Sequence, residues 1–93
     1  MKIERLLFKV NPPDMVKDFL LADAEVWNPW LKRQKGFINK TQRIVSRGIV
    51  ELVIFWTSES DLKRAGEKKD EMRVIDKLLE GRSPARYTLL KSY

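Results

Sequence analysis

Leu52-Val53-Ile54-Phe55-Trp56 is a run of five apolar residues without a polar break, and it constrains this chain more than any other segment. Side chains on a strand alternate between two faces, so a strand that is apolar on both must be covered on both. Ile49–Trp56 reads as such a strand, and Phe37–Val45 reads as its neighbour. The loop Ser46-Arg47-Gly48 between them is short and carries the glycine a tight hairpin uses. Residues 3–10 repeat the two-faced pattern, with Leu6, Phe8 and Val10 on one side and Ile3 and Leu7 on the other.

Between these strands the period changes. From Met15 to Leu31 the apolar residues Met15, Val16, Phe19, Leu20, Ala22, Val26, Trp27, Trp30 and Leu31 share one side of a helix turning about 100° per residue. Asn11-Pro12-Pro13-Asp14 stops the first strand, and Asn11 or Asp14 is expected to cap the helix. The helix is expected to run to about Asn28, with Pro29 kinking the last turn and Gly36 ending the segment. Ser58-Glu59-Ser60-Asp61 is a serine cap with an acid three residues on. The apolar stripe that follows is interrupted at Gly66 and resumes at Met72, Ile75 and Leu79, which predicts a broken helix or two short ones ending at Gly81. Ser83-Pro84 is a turn, and Arg86–Tyr93 is the last strand.

The order is β-α-β-β-α-β over one domain, residues 1–93. This is an α+β, ferredoxin-like plan: a four-stranded antiparallel sheet with two helices on one face. The helices cover only that face. Two sheets packed face to face cover the other, so a homodimer follows from burial. At 93 residues the core is thin, because only about 60–65% of the unfolded surface can be buried at this size.

Composition removes several kinds of chemistry. The chain has no cysteine and no histidine, so thiolate chemistry, the commonest general base, the commonest metal ligand and the usual haem ligand are all missing. No metal or cofactor is expected. No apolar run has the length of a membrane span and the first residues lack a signal-peptide layout, so the expected setting is the cytoplasm. The net charge is +6, but the basic residues are scattered among acids and turns, which describes a solvated surface better than a nucleic-acid footprint.

Asp23 is the anomaly. It lies near the middle of the apolar arc, with Phe19 and Trp27 four residues to either side. A carboxylate there needs a cation, a hydrogen-bond donor or a ligand. Two readings follow. Asp23 is either one half of a buried ion pair or hydrogen bond to the sheet, or a functional acid in a pocket walled by Trp27, Trp30 and Trp56. The tryptophans have the same two readings, core packing or pocket wall, and any buried indole N–H needs an acceptor, which Asp23 could be.

Several of these residues resemble the dimeric α+β barrel superfamily that includes the antibiotic-biosynthesis monooxygenases. Gly36-Phe37 follows the first helix, and Phe55-Trp56-Thr57-Ser58 ends a strand in tryptophan before a short helix. More narrowly, Phe19, Ala22-Asp23-Ala24-Glu25-Val26-Trp27, Pro29, Gly36-Phe37, Lys40 and Trp56 resemble a small family of uncharacterised proteins known mainly from cyanobacteria. The chain departs from that pattern at Thr41 and Arg43, where an acid and an aromatic are usual, and at Leu62, where a tryptophan is usual. The resemblance implies the fold and the dimer, makes Lys40 the first partner for Asp23, and matches Asn11 to an asparagine that superfamily enzymes use at the end of the first strand.

Two functions remain. The first is a homodimer that binds a small apolar or aromatic metabolite at Asp23, Trp27, Trp30, Lys40 and Trp56. The alternative is a cofactor-independent monooxygenase-like enzyme acting on a quinol or other reduced aromatic. Asp23 would then be the base, Asn11 a polar orienter, and Trp27 and Trp56 the walls. Without histidine, haem degradation is disfavoured. A cavity beside Asp23 would favour a ligand, and a filled core with a cation there would favour a purely structural acid.

Overall fold

The chain runs β1 (Lys2–Asn11), a 3-10 turn (Pro13–Met15), α1 (Val16–Lys32), β2 (Phe37–Ser46), β3 (Ile49–Trp56), α2 (Glu59–Gly66), α3 (Lys69–Arg82) and β4 (Arg86–Ser92). The computed structural model describes residues 1–93. All strand pairs are antiparallel, in the order β2-β3-β1-β4. This is the ferredoxin-like α+β arrangement.

Register decides which side chains meet the helices. Leu6 pairs with Leu52, Phe8 with Val50 and Glu4 with Ile54, and on the other side of β3 Lys40 pairs with Ile54 and Gln42 with Leu52. Opposed residues share a face, so Glu4, Lys40 and Gln42 lie on the helix side of the sheet together with the apolar set. There Phe19 and Val50 are fully buried, and Phe8, Phe19 and Tyr87 pack as an aromatic trio with centroids 5.0–6.1 Å apart.

The open face carries Ile3, Arg5, Leu7, Thr41, Arg43, Glu51, Val53 and Phe55. Glu51 is buried there because Arg43 and Arg5 reach it at 3.0 and 3.7 Å. No helix covers this side, and Ile3 is 37% exposed.

Several boundaries differ from the sequence reading. Neither Asn11 nor Asp14 caps α1, since no side-chain cap bond forms there. Asn11 instead stays in β1, paired with Arg86, and the chain enters α1 through a 3-10 turn closed by the Met15 amide on the Pro12 carbonyl. α1 also continues through Pro29 to Lys32. An interior proline costs about 3 kcal/mol, but Trp30 and Leu31 are each 3% exposed, and burying two such side chains returns about as much or more. The hairpin loop is only Arg47-Gly48, with Gly48 at φ +74°. Gly81 lies inside α3, which ends one residue later. The interrupted stripe does become two helices, and α2 starts on the Ser58 cap, whose side chain accepts from the Asp61 amide at 3.2 Å. No helix is long and apolar enough to cross a membrane.

Candidate functional site

Asp23 points from α1 onto the sheet and meets a cation. Lys40 Nζ lies 2.5 Å from Asp23 Oδ2, and the two side chains are 4% and 3% exposed. Lys40 also donates to Asn28 Oδ1 at 2.9 Å. Gln42 Nε2 donates to Asp23 Oδ2 at 3.1 Å and to the Leu20 carbonyl at 2.9 Å. The spacing Asp23–Asn28 places both α1 acceptors within reach of one lysine. Lys40 and Gln42 are two apart on β2 and therefore point the same way. The network ties α1 to β2, and the carboxylate is neutralised in place.

A cavity of about 250 Å³ opens beside this pair, between the three helices and the sheet. Trp27, Trp30 and Leu31 of α1 form one wall, Leu6, Leu52, Ile54 and Trp56 form the floor, and Leu62, Ala65 and Met72 close the far side. Asp23 and Lys40 are on its border. Of the residues singled out from sequence, the structure thus brings Asp23, Trp27, Trp30, Lys40 and Trp56 to one cavity. Asn11 is not on its wall. The ion pair and the cavity, which the sequence reading set against each other, are both present.

The tryptophan N–H groups do not go to Asp23. Trp30 Nε1 donates to Glu71 at 3.0 Å, tying α1 to α3, and Trp56 Nε1 donates to Glu4 Oε1 at 3.3 Å. Trp27 and Trp30 meet edge to face with centroids 5.6 Å apart.

Three polar residues on the cavity wall were not singled out from sequence: Glu4, Asp76 and Tyr87. Burial holds the Glu4 carboxyl above the usual carboxylate range, and the Trp56 hydrogen bond only partly offsets this. Burial also pushes the Tyr87 phenol up, with the nearby Asp76 and Glu80 charges adding to the effect. Tyr87 donates to Asp76 Oδ1 at 3.3 Å. The alternation of β1 carries the signal for Glu4, which has the parity of Leu6, Phe8 and Val10. Asp76 and Tyr87 come together only through the packing of α3 on β4.

No family model matches the chain, and no curated protein sequence matches it. Solved structures do. SnoaB from Streptomyces nogalater, described as a cofactor-independent oxygenase, superposes with a TM-score of 0.64 at 18% identity over 96% of this chain and 89% of its own. The ActVA-Orf6 monooxygenase of Streptomyces coelicolor, solved with the ligand nanaomycin D, gives 0.69 at 15% identity over 96% and 84%. A dimeric ferredoxin-like protein from an uncultured marine organism gives 0.68 at 16% over 94% and 88%. The chain has the fold of the antibiotic-biosynthesis-monooxygenase-like proteins. At such identities the likeness extends to the fold, and the chemistry has to be read from the cleft's own residues.

Proposed function

We propose that this chain is a homodimeric α+β barrel protein whose helix–sheet cleft binds a small apolar or aromatic metabolite. The observation that carries the reading is the cavity of about 250 Å³ lined by three tryptophans. As a closed void it would cost on the order of 6 kcal/mol at about 24 cal/mol per Å³, against a total stability of roughly 5–15 kcal/mol for a domain. Opening to solvent lowers that cost, but a space this large in so small a core favours an occupant. Trp27, Trp30 and Trp56 would supply flat apolar contact, and the Asp23–Lys40 pair a fixed polar edge.

Titration with an apolar naphthalene probe, followed by calorimetry, tests the reading. One probe per protomer is expected, and Ala65→Phe, which fills the cavity from α2, should abolish binding while the protein still folds. Absence of binding by the wild-type protein at millimolar probe would overturn it.

The dimer is part of the proposal. Leu7, Val53 and Phe55 on the open sheet face suit a second copy of the same face, and the neighbour described as dimeric has this fold. Phe55→Glu should give a monomer in light scattering, and a monomeric wild type at micromolar concentration would count against pairing.

A second reading, a cofactor-independent monooxygenase-like enzyme on a quinol or other reduced aromatic, is favoured by the oxygenase described for the SnoaB fold and the nanaomycin D bound to ActVA-Orf6. Trp27 and Trp56 would be its walls. With Asp23 held by Lys40 and Asn11 away from the cavity, neither is well placed as base or orienter. Oxygen uptake with quinols and anthrones tests it, and turnover no faster than buffer would exclude those substrates.

A further inference from the structure

Three carboxylates border the cleft, Glu4, Asp23 and Asp76. Asp76 is exposed to solvent, and the fold treats the other two differently. Asp23 receives a lysine at 2.5 Å. Glu4 lies on the cavity wall and takes part in no ion pair. Its protein partner is the Trp56 indole at 3.3 Å, a long hydrogen bond from a neutral donor. A carboxylate among apolar walls is costly unless a cation meets it, and none of the remaining groups around the cavity offers one. Lys40 is spent on Asp23 and Asn28, Asp76 is an acid, and Tyr87 donates to Asp76. The aromatic residues Trp27, Trp56 and Tyr87 border the same space, and aromatic rings attract cations to their faces.

We infer that Glu4 is the specificity-determining residue of the cleft and that the ligand is an aromatic or apolar amine, whose ammonium group supplies the cation the fold withholds. This rests on the ligand-binding reading of the cleft and narrows it to a substrate class. The surface of the chain is basic, with a net charge of +6, so selection for a cation has to come from inside the cavity. Burial, which holds the Glu4 carboxyl above its usual range, is the penalty an ammonium partner would relieve.

Naphthylmethylamine and naphthylmethanol share one aromatic body and differ in charge, and calorimetric titration of both against the wild-type protein and Glu4→Gln tests the inference. The amine should bind about tenfold tighter or better to wild type, the scale expected of a desolvated charge contact. Glu4→Gln should reduce the amine to the affinity of the alcohol while leaving the alcohol within about twofold, on the same scale. Equal binding of amine and alcohol by wild type, or an amine preference that survives in Glu4→Gln, would overturn the role of Glu4 and leave the cleft a neutral-ligand site. Failure of both probes to bind would overturn the ligand-binding reading itself, and this inference with it.

Discussion

Removing one charge of the Asp23–Lys40 pair should destabilise the protein far more than removing both in proportion. In Lys40→Met the Asp23 carboxylate, 3% exposed, keeps Gln42 at 3.1 Å as its side-chain donor and has no counter-charge. In Asp23→Asn the ammonium keeps Asn28 and an amide oxygen, again without a counter-charge. Stranding a buried charge in this way costs about 3–5 kcal/mol. The double variant Asp23→Asn/Lys40→Met strands none. It loses hydrogen bonds to Asn28 and packing around the pair, about 1–3 kcal/mol, so the coupling between the sites should exceed about 2 kcal/mol. Urea unfolding at fixed protein concentration, followed by tryptophan fluorescence, measures all four proteins. With a slope of about 1–3 kcal/mol per molar for a small domain, each single variant should lower the midpoint by roughly 1–5 M. Single variants within about 0.5 kcal/mol of wild type, with an additive double, would refute the argument and show that the pair has no energetic weight in the fold.

Three further outcomes follow from other sites. Glu4 has its folded-state pKa raised above the ordinary value of 4.5, so the native state binds the proton more tightly than the unfolded chain, and wild-type stability falls as pH rises from that value through the raised one. Glu4→Gln should therefore gain melting temperature relative to wild type on going from about pH 4 to about pH 7, and a constant difference would contradict the burial argument. Asp61 is shifted the other way, chiefly by the Thr57 and Ser58 hydroxyls and then by Arg64; its contribution is present above its unfolded value of 3.8 and is lost as pH falls through the lower folded value. Ser58→Ala, which removes the cap bond to the Asp61 amide, should cost about 1 kcal/mol in a denaturation midpoint. Gly36 sits at φ +84°, and a Cβ there would collide with the Asp61 carboxyl. Gly36→Ala should cost at least about 1–2 kcal/mol from the backbone conformation alone, and a neutral result in thermal melts would contradict the close packing of this turn on α2.

The fold was legible because its signals are local and repetitive. β3 lies at the residues where the apolar run ends, since a doubly apolar strand has no alternative to a sandwiched place in the sheet. The Ser58 cap and the break after Gly66 were legible for the same reason, each being decided within a few residues. Pro12-Pro13 ends the strand and opens the helical turn as expected, whereas the cap and the end of α1 differ from the sequence reading because their outcome depends on distant contacts. Pro29 remains helical on account of what Trp30 and Leu31 bury, and Asn11 stays in a strand because β4 pairs with it.

The candidate site divides along the same line. Periodicity alone marked Asp23 as an acid inside a core-facing stripe, and strand alternation contains, unread, the same mark for Glu4. The family resemblance named Lys40 as the partner of Asp23, and the structure has that pair; the residue pattern by itself does not decide which of the two acids has a cation. Lys40 is seventeen positions from Asp23, and only the register of β2 against β3, with α1 laid across them, brings the charges to 2.5 Å. Parity places a side chain on a face, but the distance between charges on different elements is a property of packing. Tertiary structure thus made Asp23 a satisfied acid and left Glu4 as the unpaired one.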